Sequence, residues 1–469
     1  MIRKLRTTRR HLLKTAAWTG AATAAALTSP PFIRHSRAAG KLSIFIWDHW
    51  TGEPSNAVQR KMIEEWGAQN KVEVTVDFIT SQGDKIQLTA MAEARAKTGH
   101  DIAMLPQWYT YIARQSLEPL DDIVEENKKL YGPLLPIAEY LTKFDGHYLS
   151  VQGPTGGQSF PSVSRIDLFK ELCGLDVVKL FPTSAKQRDK KAIEAYSWAK
   201  FLDYAEKLHK AGFPAGQPIG QTSDSPVWLG PLFASFGAYL VNAKGDITVN
   251  TPEVREAMEY MKRLIQFFPK DVYAWDDAGN NKHMLSGQGG WIQNPPSAWA
   301  IGVGRPALGD LPAVKGSAPE FASKVWHHDS PRGPKGRFRG GLIFAWGLWN
   351  FSQNKSAAKD LMRYMTKKPQ VARLSPVGRG YDLPMHAGLF DNPVWDHEGP
   401  PTGTLYNYAI RGDEHLMVTG MPAPHGIASQ MYVQATLPQT IARYTTGQDT
   451  LDNALQWAEK EIEGFKREG

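Results

Sequence analysis

The chain has 469 residues, with 54 Lys or Arg against 47 Asp or Glu, and a single cysteine. Eight of the basic residues and none of the acids lie in the first 39 positions, so the rest of the chain carries 46 basic against 47 acidic side chains. That balance argues against nucleic acid or an anionic membrane as a partner, and the lone thiol, Cys173, excludes an internal disulfide. About 430 residues beyond the basic leader are too many for one ordinary core, so two or three domains are expected.

The first element is the leader. Thr8-Arg9-Arg10-His11-Leu12-Leu13-Lys14 precedes an Ala-rich, weakly apolar stretch from Thr15 to Leu27, and small residues at Ser36, Ala38 and Ala39 offer a cleavage site. The apolar stretch is too short to span the roughly 30 Å hydrocarbon core, so a membrane anchor is not expected. The segment resembles a twin-arginine export signal. That resemblance implies passage through the twin-arginine translocase, removal near Ala38 or Ala39, and a periplasmic product.

Leu42 to Trp47 is a short apolar run and predicts a buried parallel strand. Val58, Met62, Ile63 and Trp66 then recur at helical spacing. Val72, Val74, Val76 and Phe78 alternate with polar residues as a one-faced strand. Asp84 is expected to start another helix in a capping-box-like relation with Gln87, and Asp101 to Leu105 is the third strand. Strand and helix in turn, with short connections, predict an α/β fold around a parallel sheet. Further on, Ser197 is expected to cap a helix that Gly212 follows, Thr251-Pro252-Glu253 to begin another, and Leu451, Leu455, Ala458 and Ile462 to form the buried stripe of the last.

Motifs for catalysis are not found: there is no nucleophile elbow, no His-Glu-x-x-His and no phosphate loop with Lys-Ser or Lys-Thr. Gly302-x-Gly304-x-x-Ala307 contains Pro306 and lacks the strand that a dinucleotide site requires. His327-His328-Asp329 reads as a solvated turn rather than a metal site. What stands out is aromatic: 15 Trp, 16 Tyr and 19 Phe, with many of the Trp beside Gly, Pro, Asn or Gln. Trp50, Trp108 with Tyr109, Trp228 and Trp299 fall in or beside loops, where strand ends line a crevice. Trp47, the last residue of its strand, is expected to face the core. A sugar offers an apolar C–H face for such rings and hydroxyls for planar polar groups.

Four later segments carry a resemblance. They are Gly237-Ala-Tyr-Leu-Val-Asn-Ala-Lys-Gly-Asp-Ile-Thr-Val-Asn-Thr-Pro-Glu253, Ser286-Gly-Gln-Gly-Gly-Trp-Ile-Gln-Asn294, the run Gly340-Gly341 through Trp346 to Ala358, and Thr446-Gly-Gln-Asp-Thr-Leu-Asp-Asn-Ala-Leu455. Together, in this order, they resemble the bacterial extracellular solute-binding proteins of carbohydrate ABC importers, the family 1 group that includes maltose-binding protein. The resemblance implies a two-lobe type II periplasmic-binding-protein-like fold, each lobe a mostly parallel sheet flanked by helices, with a ligand cleft between them. It implies an N-terminal lobe of residues 40–150 plus 328–368 and a C-terminal lobe of 151–327 plus 369–469. It also implies a carbohydrate ligand, membrane permease subunits as partners, a monomer, and neither catalytic residue, metal nor cofactor. The family's contacts carry over to Asp48, His49, Trp50, Gln107, Trp108, Tyr109, Trp228, Asn294, Trp299, Gly341 and Trp346. Ser297 stands where some relatives have a stacking aromatic. Two competing readings are an exported glycan-active enzyme and the same receptor fold holding another solute, such as a phosphorylated polyol or, given Tyr109 and Tyr111, an iron chelate.

Overall fold

The computed structural model describes residues 40–182, 187–303, 323–391 and 414–468. The leader and most of the Gly302–Ala307 motif lie outside the described residues. Strand β1 (Lys41–Trp47) is buried at every position but the first, because the sheet is covered on both faces. It runs parallel to β2 (Glu73–Ile79) on one side and to β3 (Ile102–Pro106) on the other. The helix Glu53–Asn70 between β1 and β2 buries Met62, Ile63 and Trp66 against them. The expected helix after Asp84 spans Lys85–Ala96. Asp84 does not cap it, since its φ of 55° turns the carboxylate away from the helix amides; instead the Gln87 amide donates to Asp84 Oδ1 at 3.3 Å.

A small hairpin, β4 (Lys143–Phe144) and β5 (His147–Tyr148), leads into β6 (Val151–Phe160), which continues through Pro161 into β7 (Ser162–Arg165). β8 (Trp291–Gln293), β9 (Val325–His328), β10 (Phe338–Leu348) and β11 (His415–Met417) complete the described strands. The first sheet has the order β11-β10-β3-β1-β2, with β6 also paired to β10. β10 runs antiparallel to β3 and β6, so parallel pairing is confined to the β1–β3 block and the β10–β11 edge. The second sheet, β8-β7-β9, is antiparallel throughout, contrary to the expectation of a mostly parallel sheet in each lobe. Its strands are three to four residues long and lie on either side of β7, which arrives straight from the first sheet with no crossover helix to impose parallel order.

Two cores result. One gathers β1–β3, β10 and the helices beside them, including Trp47, Trp66, Trp346 and Trp349. The other is mainly helical, built from Trp198–Lys210, Pro252–Ile265 and Leu451–Glu468. The caps expected at Ser197 and Thr251 form, accepting from Lys200 N and Val254 N. The chain crosses between the sheets at Pro161 rather than after residue 150, because β6 stays hydrogen-bonded to β10 up to Phe160. Residues 368–385 also stay with the first sheet: Arg373 pairs with Glu65 at 2.6 Å, and Leu383 exchanges backbone hydrogen bonds with Gly157. Gly156 has a φ of +59°, and a Cβ there would sit 2.1 Å from the Leu383 carbonyl oxygen.

His327-His328-Asp329 is not a solvated turn. His327 and His328 end β9, all three residues are buried, and His328 Nε2 lies 2.8 Å from Ser164 Oγ. Asp329 meets Arg188 at 3.2 Å, with both side chains almost wholly shielded from solvent. The polarity that reads as a loop is absorbed here by side-chain partners inside the second sheet.

Candidate functional site

A hollow lies where the ends of the two sheets meet. Trp47 and Trp50 enter it from the end of β1, Pro106 from β3, Gln158 and Phe160 from β6, and Leu342 and Phe344 from β10. Asp224, Asp277, Asn281, Asn294 and Ser297 face them, and Tyr381 and Tyr432 close the sides. A shallower recess adjoins it, sharing Gln87, Ser223 and Tyr432 and adding Asp84 and Tyr109. Another cavity, around Phe233, Leu240, Met417 and Met431, is lined almost entirely by apolar groups and offers no set of convergent polar ones.

The aromatic wall is preset. Trp47 stacks on Phe344 at 4.9 Å and 14°, and on Tyr381 at 6.2 Å and 28°. Trp47 is thus buried in its core, as its strand position predicts, while its edge reaches the hollow. Trp50 is half-buried beside it, just before the positive-φ Gly52. His49 supports this wall from behind. Its Nδ1 accepts from the Thr51 backbone N–H, so Nε2–H donates to the Asp382 carboxylate at 2.9 Å, one residue from Tyr381.

On the facing side Asn294, Asn281 and Ser297 form a triangle: the Asn294 amide donates to Asn281 Oδ1 at 2.7 Å and to Ser297 Oγ at 2.9 Å. Asn280 donates to Asp224 Oδ2 at 2.9 Å, fixing that carboxyl group at the start of the helix Asp224–Phe236. The two sides are joined directly by a hydrogen bond from Ser81 Oγ to Asp277 Oδ2 at 2.8 Å. Burial pushes the Asp224 carboxyl well above its usual range, and the Asp277 charge pushes it further. Asp277 is raised by burial, with Asp276 and Asp84 adding to the shift, and Asp84 by burial. Tyr109 is pushed up to about 12 by burial and by the Asp84 charge.

Of the residues expected at the site, Trp50 and Asn294 line the hollow and Tyr109 lines the recess. The others stand elsewhere. Asp48 is exposed and accepts from the Asn56 amide. Gln107 has a positive φ and donates to the Gly341 carbonyl, tying β3 to β10. Trp108 and Trp228 are sealed in the helical core, their indole N–H groups donating to the carbonyls of Thr419 and Pro218. Trp299 is fully buried in a small cluster with Met284 and Ile292, and Trp346 is buried on β10 itself, in the core of the first sheet. Gly341 is bare because a Cβ would meet Ile137 at 2.6 Å. Gln87, Gln158, Asp224, Asp277, Asn281, Tyr381 and Tyr432 were not foreseen as lining residues. Gln158 carried one signal, a polar side chain within a strand buried at all ten positions. Asp224 carried another, an acid opening an otherwise apolar helix.

Among the described residues no helix is long and apolar enough to cross a membrane, and no group of three His, Cys, Asp or Glu is placed to hold a metal ion. No curated protein matches the sequence. The fold is shared with solved solute-binding proteins. Maltose-bound MalE3 of T. maritima aligns with a TM-score of 0.67 and 18% identity, over 91% of this chain and 99% of that one. An ABC transporter solute-binding protein from Thermotoga lettingae, bound with α-D-tagatose, gives 0.66 and 14%, over 91% and 100%. A sugar transporter protein from Arthrobacter chlorophenolicus with bound laminaribiose gives 0.66 and 14%, over 91% and 99%. The family model described as bacterial extracellular solute-binding protein matches residues 61–399, and the chain belongs to that family.

Proposed function

We propose that the protein is a receptor that captures a sugar or short oligosaccharide in the hollow between its two sheets and delivers it to the permease subunits of an ABC importer. The observation that carries this reading is the pairing of an aromatic wall, Trp47, Trp50, Phe344 and Tyr381, with a facing set of amides, hydroxyls and carboxyl groups in one cavity. Rings stack on the apolar face of a pyranose, and amide and carboxyl groups take two neighbouring hydroxyls with fixed direction. The solved structures with the same fold hold maltose, tagatose and laminaribiose, which supports the same ligand class here.

In this reading the first lobe holds the six-stranded sheet and the second the β8-β7-β9 sheet with the helical core. Pro161 and the segment 329–337 are the crossing points about which the lobes close. Export is by the twin-arginine route, the product is periplasmic, and it acts as a monomer without catalysis. Closure is driven only by contacts that require both sides. Moving a lobe equilibrium from 1:99 to 99:1 requires about 5.5 kcal/mol of preference for the closed form. Two stacked rings at about 0.5–1.5 kcal/mol each beyond burial, with several hydrogen bonds near 1 kcal/mol, are sufficient.

The test is a panel of mono- and oligosaccharides followed by tryptophan fluorescence and by analysis of products. A saturable change with the sugar recovered intact is expected. Released product would favour an exported glycan-active enzyme, and a panel with no binder would leave the sugar reading without support.

A further inference from the structure

Three carboxyl groups converge on the hollow and its recess: Asp84 at the head of the helix Lys85–Ala96, Asp224 at the head of Asp224–Phe236, and Asp277 before Gly279–Leu285. No lysine, arginine or histidine lines either space, and none of the three acids has an ion-pair partner among the described residues. Their hydrogen bonds come from neutral donors: Gln87 to Asp84, Asn280 to Asp224 and Ser81 to Asp277. A second observation points the same way. Gln87 is 96% buried and lines both spaces; its amide is held by Asp84, and its carbonyl Oε1 has no hydrogen-bond partner. A buried acceptor without a donor is costly until a ligand supplies one.

Resting on the sugar-receptor reading, we propose that the site selects sugars bearing a protonated amine over neutral ones. A neutral sugar supplies hydroxyl donors but leaves three facing acids with no opposite charge. An ammonium group supplies up to three N–H donors and the missing charge, and charge-assisted hydrogen bonds are roughly twice as strong as neutral ones. A bare metal ion is a poorer match, since no three acidic or histidine side chains in the described residues are close enough to ligate one. Gln158 Nε2, also buried without a partner, provides a donor for a ring or hydroxyl oxygen of the same guest.

The proposal has a proton signature. Burial raises both the Asp224 and the Asp277 carboxyls; the charges of Asp277 and Asp276 push Asp224 further, those of Asp276 and Asp84 push Asp277, and Tyr432 feels Tyr109 and all three of Asp84, Asp224 and Asp277. At a pH where these raised carboxyls still hold a proton, an arriving ammonium stabilises the carboxylate, so a carboxyl proton passes to the buffer while the amine keeps its own.

The experiment compares 2-amino-2-deoxyhexoses and their β-1,4-linked dimers with the neutral hexoses and with the N-acetylated forms, by titration calorimetry in two buffers of different ionisation enthalpy. The expected result is about tenfold or more tighter binding of the free amine, with proton release in that case alone. Asp224→Asn and Asp277→Asn are expected to shrink the ratio of amine to N-acetyl affinity severalfold. Neutral or acetylated sugars binding as tightly as the amines would overturn this proposal while leaving the sugar receptor intact. If no sugar of either kind binds, both readings fall. Should one variant not fold, the wild-type ratio and the other variant still decide.

Discussion

Removing the Trp50 ring takes away a ligand wall, whereas removing the Trp228 ring opens the helical core. Trp50 is half-buried and borders the hollow, so Trp50→Ala is expected to weaken sugar binding by roughly tenfold with little loss of stability, as stacked aromatics contribute about 0.5–1.5 kcal/mol beyond area burial. Trp228 is 1% exposed, and its indole N–H is used by the Pro218 carbonyl, so Trp228→Ala is expected to cost about 3–5 kcal/mol of folding stability. Urea unfolding alongside ligand titration separates the two. From the sequence alone these tryptophans look alike, each near a proline or glycine. What distinguishes them is which wall the flanking backbone faces, and that is set by contacts far away in the chain. Asn294 was legible because it follows a short strand into a Pro-Pro turn. Asp277 and Tyr381 carried no local mark.

At the level of elements, periodic signals were read correctly and the polar strand was not. β1, β2, β3 and the helices at Glu53, Trp198, Pro252 and Leu451 each repeat an apolar stripe that only one period fits. β9 ends in His327-His328 because Ser164 and neighbouring backbone satisfy His328 inside the second sheet, a compensation invisible to a hydrophobic pattern. Burial lowers both imidazoles to about 3. Their native pKa lies below the unfolded one, so their contribution to stability is complete above about pH 6.5 and is lost as pH falls from there towards 3. Each adds a slope of about 1.4 kcal/mol per pH unit in that window. Denaturant midpoints between pH 7 and pH 4.5 are expected to drop steeply, and a histidine-free strand (His327→Gln with His328→Gln) to flatten the curve. Gly156→Val is expected to fold poorly or melt several degrees lower, since the Leu383 carbonyl stands 2.1 Å from where its Cβ must go.

For the molecule as a whole, the acids that face the hollow oppose its closure. Asp224 and Asp277 are raised by burial here, so if the proposed lobes part and rehydrate them the opened form holds fewer protons. Closure without ligand is favoured while both carboxyls are protonated, and that advantage is lost as pH rises above the ordinary carboxyl range. Small-angle scattering is expected to show the free protein becoming more extended from pH 4 to pH 7, and contracting again when a binding sugar is added. A radius of gyration unchanged by pH and by ligand would speak against two moving lobes. The two-sheet architecture was legible as a resemblance carried by four motifs. The path of the crossings was not, because β6 belongs to the first sheet by pairing with β10, far away in sequence, not by any mark of its own.

One hydroxylated guest is expected to occupy the hollow bounded by Trp47, Trp50, Asp224 and Asn294. Native mass spectrometry of the protein incubated with the sugar panel is the deciding measurement. A single bound sugar per chain is expected, with occupancy sharply reduced in Trp50→Ala combined with Asn294→Ala. A chain that stays ligand-free throughout, or a bound sugar whose occupancy the double substitution leaves unchanged, would contradict it.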